Sequence, residues 1–104
     1  MNIAQLKVAL EELGVREGAV RIFPPALVEG ALCLMRTDEG KWSVLLNERG
    51  EYLTDEIFES ERDACRYLLR KVLLDPTYRK DFASSDLSSH KDRLPGLLKR
   101  FGFD

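Results

Sequence analysis

The sequence predicts an α+β fold: an N-terminal helix, a three- to four-stranded antiparallel meander sheet, then two to three C-terminal helices packed on one face of that sheet. Three observations carry this. Apolar residues recur at spacings of three and four near both ends of the chain. In the middle they form short β-branched or alternating runs, and turn residues separate those runs. A length of 104 residues fits one domain, 1–104, with no internal repeat and no long linker.

The first helix has Asn2 as its cap, Gln5 at the capping-box position and Gly14 as its stop. Ile3, Leu6, Leu10 and Leu13 share one face, while Lys7, Glu11 and Glu12 lie elsewhere on the wheel. AVRIF (19–23) reads as a short strand halted by Pro24-Pro25, since proline has no amide proton for a ladder. GALCLMR (30–36) is nearly all apolar and reads as an interior strand. TDEG (37–40) turns the chain into KWSVLLN (41–47), which places Trp42, Val44 and Leu46 on one face and Ser43, Leu45 and Asn47 on the other. EYLTDEIFE (51–59) alternates imperfectly, as a strand with a bulge or a short edge strand does.

Ser60 and Asp63 form the capping pair of a second helix, whose stripe is Ala64, Cys65, Leu68, Leu69, Val72 and Leu73. Asp75-Pro76 ends it and opens a short third helix around YRKDF (78–82). ASSDLSSH (83–90) reads as a loop, and LPGLLKRFGF as a last helix stopped by Gly102.

Composition narrows the function classes. With 44% hydrophobic and 33% charged residues of mixed sign, the chain is globular rather than disordered. A formal net charge of −2 gives no general basic field, which disfavours nucleic acid as a partner while leaving room for a local basic patch. MNIAQLKVALEELG is too densely charged for a signal peptide, and no run approaches the roughly 20 apolar residues that cross a bilayer. The expectation is a cytoplasmic protein with no membrane partner. Cys33 and Cys65 sit in apolar stretches, as buried free thiols do.

Signals for catalysis are weak. His90 is the single histidine, placed in the serine-rich loop without a partner, and no Cys/His spacing matches a metal site. The glycines are dispersed at turns and helix ends rather than gathered into a phosphate-cradling loop, so no cofactor is expected. Glu48 and Glu51 flank the Arg49-Gly50 turn, and paired acids can divide general acid and base roles in a hydrolase. Such pairs need a pocket that shifts one pKa; a strand end with its charges in water accounts for them without chemistry. The reading is not an enzyme.

The charge run is more informative. From 48 to 63 the acids are Glu48, Glu51, Asp55, Glu56, Glu59, Glu61 and Asp63, against Arg49 and Arg62. Bases gather later, at Arg66, Arg70, Lys71, Arg79, Lys80, Lys91, Arg93, Lys99 and Arg100. A negative face steers a basic partner; it equally guards a sheet edge against aggregation. Spacing alone does not choose between them.

The stretch GALCLMRTDEGKWSVLLNERGEYLTDEIFESERDACRYLL resembles small bacterial immunity proteins encoded beside polymorphic or contact-dependent toxins. The resemblance rests on Leu13-Gly14, Ala31 to Leu34, Gly40 to Trp42, Glu48 to Gly50 and Ser60 to Cys65, in that order, and covers roughly residues 1 to 75. Leu45 and Leu46 stand where the group often has aromatics, FPPALVEG stands where it has a Gly-rich connection, and the tail from Pro76 lies outside the likeness. What the resemblance implies is immunity: binding a cognate toxin domain, such as a nuclease with a basic surface, and covering its active or substrate-binding surface. Glu48, Glu51, Asp55, Glu56, Glu59 and Glu61 would then carry the docking. The alternative is an interaction or regulatory module of another cellular complex.

Overall fold

The computed structural model describes the backbone of residues 1–23, 30–48, 51–80 and 87–103, and the side chains of these residues except 47, 48, 51–55 and 87–91. Helix α1 is Ile3–Glu12. Asn2 Oδ1 accepts the Gln5 N–H at 2.8 Å and Gln5 Oε1 accepts the Asn2 N–H at 2.9 Å, the reciprocal cap expected from the sequence. At its other end Gly14 takes φ +69°, which lets its N–H reach Glu11 O (3.0 Å) and the Val15 N–H reach Leu10 O (3.1 Å).

Four strands follow: β1 (Val20–Ile22), β2 (Leu32–Arg36), β3 (Trp42–Glu48) and β4 (Glu51–Phe58), in the spatial order β1-β2-β3-β4. The β2–β3 and β3–β4 pairs are antiparallel hairpins, as expected, but β1 runs parallel to β2, with Val20 opposite Leu32 and Ile22 opposite Leu34. The sheet is therefore mixed, not an antiparallel meander. Between Ile22 and Leu32 the chain must return to the starting end of the sheet, a distance of about 10 Å for a three-residue strand, and the intervening residues are ample for it. The expected bulge is present: the register passes from Val44 opposite Glu56 to Leu45 opposite Thr54, leaving Asp55 as the extra residue.

Helix α2 (Glu61–Leu74) is the middle layer, in contact with β2, β3 and β4 as well as with α1 and α3. Ser60 Oγ accepts the Asp63 N–H at 3.2 Å, which forms the forward half of its capping pair. The α2 stripe, Ala64, Cys65, Leu68, Leu69, Val72 and Leu73, is buried in one core with Leu6 and Ala9 of α1 and with Leu32, Leu34, Trp42 and Val44 of the sheet. Trp42 is 8% exposed; its ring also meets Phe23 at 6.0 Å between centroids and carries the Arg36 guanidinium 4.8 Å above it.

Past α2, Pro76–Tyr78 form a 3-10 turn. Residues 78–80 are not α-helical where a short α-helix around 78–82 was expected, and residues 81 and 82 lie outside the described residues. Asp75 caps the turn, its carboxylate accepting from the Thr77 N–H (3.0 Å) and hydroxyl (2.6 Å). Arg79 is extended instead and pairs with Val15. The Arg16 N–H donates to Tyr78 O at 2.6 Å, and the Lys80 N–H donates to Gly14 O at 2.7 Å. Helix α3 spans Leu87–Arg100, so Leu87 to His90 are helical where a loop was expected. Leu94, Leu97, Leu98, Phe101 and Phe103 pack against the core, and that burial sets the helix, which accommodates Pro95 in its interior. Gly102, at φ +84°, ends α3 as expected, with the Phe103 N–H on Leu98 O at 2.7 Å.

Candidate docking surface

The β2–β3 turn is built tightly. The Thr37 N–H donates to Lys41 O (2.8 Å), Thr37 Oγ1 accepts the Lys41 N–H (3.0 Å), and Arg36 binds Gly40 O (3.0 Å). These bonds hold Asp38 and Glu39 at the tip, both exposed. Across β3, Ile57 of β4 lies opposite Ser43, and its side chain is 49% exposed. Thr37, Asp38, Glu39, Lys41 and Ile57 line an open recess of about 290 Å³. Lys41 Nζ stands 3.3 Å from Glu59 Oε1 and 3.9 Å from Glu39 Oε2. Both pairs are exposed and contribute little to stability, but they leave three carboxylates against one ammonium around an uncovered isoleucine.

The six carboxylates singled out in the sequence do not form one face. Glu59 does not line the recess but pairs with Lys41, which does. Glu56 is exposed, but it sits opposite Val44, and strand alternation puts it on the other side of the sheet from Ile57. Glu61 is turned inward: its Oε2 accepts the Ile3 N–H at 3.0 Å and so serves the start of α1. Glu48 and Glu51 are paired in register across the β3–β4 turn, and Asp55 is the bulge residue; the side chains of all three lie outside the described residues. Asp38 and Glu39 were not singled out, because TDEG reads as turn chemistry; their acidity was the available signal.

The bases gathered after residue 65 lie elsewhere. Arg66 of α2 donates to Gly102 O at 2.9 Å and covers the Phe103 ring at 4.6 Å, and Arg100 pairs with Glu12 at 3.1 Å. Both cysteines are buried free thiols. Burial, and secondarily the Glu61 carboxylate, push the Cys65 thiol up to about 11, so it stays protonated at neutral pH and is a poor nucleophile. Among the described residues no group of three or more His, Cys, Asp or Glu side chains could hold a metal ion, and no helix is long and apolar enough to cross a membrane. Comparison with family models, with curated proteins and with solved structures returned no match.

Proposed function

We propose that the chain is an immunity protein: it binds a cognate toxin domain in the cytoplasm and neutralises it by covering its active or substrate-binding surface, with no chemistry of its own. The observation that carries this reading is the uncovered Ile57 in a recess with Asp38 and Glu39, where Lys41 also holds Glu59. An apolar anchor ringed by carboxylates suits a partner whose own surface is basic. A nuclease toxin has such a surface, because it must hold a phosphate backbone, and carboxylates can stand in for phosphates there. The order of turns and caps along residues 13 to 65 supports the same reading.

The test is protection. The chain is co-expressed with the product of an adjacent toxin gene, and viability and co-purification are measured. Rescue together with a stable complex is the expected result. Failure to bind that product, with no rescue, would sink the proposal and leave an interaction module of some other complex.

A further inference from the structure

A second recess, of about 470 Å³, opens where α1 ends, lined by Glu12, Leu13, Gly14, Arg79, Lys80 and Arg93. Three of these six residues are cations. The single carboxylate among them, Glu12, is already held by Arg100 at 3.1 Å. The side chains of Arg79, Lys80 and Arg93 have no hydrogen-bond or ion-pair partner among the described residues. Arg79 is also fixed in place. Its backbone pairs with Val15, and its side chain lines a small apolar crevice with Leu13, Val72, Leu73, Pro76 and Leu97. Its Nε–H is buried and finds no acceptor among the described residues. A buried donor of this kind is costly unless an acceptor is brought to it. Arg21 has a similarly unpartnered Nε, but it does not line a recess with other cations.

We propose that this recess binds a phosphate-class oxyanion, either the free ion or the terminal phosphate of a phosphorylated small molecule. A fixed guanidinium fork offers parallel N–H donors to two oxygens of a tetrahedral anion. Lys80 and Arg93 supply the further positive charge that a dianion takes and a lone carboxylate does not need. The site is separate from the acidic docking surface and stands independently of the proposed function.

The test is a titration of the ¹⁵N-labelled full chain with sodium phosphate, at constant ionic strength, with sodium acetate as the carboxylate control. Phosphate should give saturable shifts at the Arg79 Nε–H and at the Gly14 and Lys80 amides, and acetate should not. Arg79→Lys keeps the charge and removes the fork, and should weaken binding about tenfold, the equivalent of one charge-assisted hydrogen bond. Should Arg79→Lys not fold, the exposed changes Lys80→Gln and Arg93→Gln decide, each expected to weaken binding by roughly threefold or more. Arg70→Gln removes one charge from the exposed side of α2 and should leave the affinity unchanged. A titration with glycerol phosphate separates the sources: tighter binding than inorganic phosphate assigns a phosphorylated small molecule, and equal binding assigns the free ion. Linear, unsaturated shifts would overturn the proposal, as would equal binding of acetate or an equal loss in Arg70→Gln.

Discussion

The Glu61 carboxylate accepts the backbone N–H of Ile3 at 3.0 Å, so the first turn of α2 caps the first turn of α1 across 58 residues of sequence. A negative charge is favourable at both helix starts, and one side chain serves the two. Glu61→Ala should lower stability by about 1 to 2 kcal/mol, the scale for a charged acceptor lost from a partly buried donor. Denaturant melts would measure it; an unmoved midpoint would mean that water replaces the carboxylate at no cost.

Trp42 joins the sheet to α2 and is nearly enclosed. Trp42→Ala should cost about 3 to 5 kcal/mol, with loss of the Phe23 and Arg36 contacts as well as the core. A melting temperature close to wild type would remove the central place given to this ring.

Stability should fall in alkali because of Cys65. Its thiol titrates near 9.0 when unfolded and near 11 when folded, so the unfolded chain releases its proton first as pH rises. The contribution is complete below pH 9 and declines from there to about pH 11, by roughly 2 to 3 kcal/mol in total. The readout is the difference in slope between wild type and Cys65→Ala, which cancels whatever the two chains share. Parallel slopes would contradict the burial of an ionisable thiol.

Charge reversal tests the docking surface. Asp55→Lys, Glu56→Lys and Glu59→Lys together should slow association with a basic toxin, reduce protection in cells and leave the chain soluble. The geometry makes a sharper version. Glu39→Lys with Glu59→Lys reverses the two carboxylates paired with Lys41 at the recess, and Glu56→Lys alone, on the other side of the sheet, should do much less. The association rate of wild type should fall with salt. Full protection by the Glu39 and Glu59 double variant, with a salt-insensitive rate, would move the interface elsewhere.

The parts of the fold legible in the sequence are those fixed by neighbours in sequence. Asn2, Gln5, Gly14, Ser60 and Gly102 mark helix ends through bonds made within a few residues, and the TDEG turn and the irregular β4 pattern work the same way. The direction of β1 was not legible, because pairing with β2 is a non-local choice; the absence of a two- to five-residue turn between them was the sign that no hairpin joins them. The start of α3 was obscured by Ser88, Ser89 and Pro95, whose local preferences are overridden by packing of Leu94, Leu97 and Leu98 on the core. At the candidate site, the surplus of acids could be counted from sequence, but not the side to which each points. Glu61 faces a partner 58 residues away, which no local pattern reports.

The bonds from Arg16 to Tyr78 and from Lys80 to Gly14 impose an order on folding. They close a loop of more than sixty residues, an entropic cost that only the assembled sheet and α2 can offset. Residues 14 to 16 leave a ribosome before residues 78 to 80, and must wait for them before these two backbone bonds can form. The Arg16 amide thereby becomes a reporter of the last events. Its proton should exchange with solvent more slowly than amides at the tip of the β2–β3 turn, which open by local fluctuation.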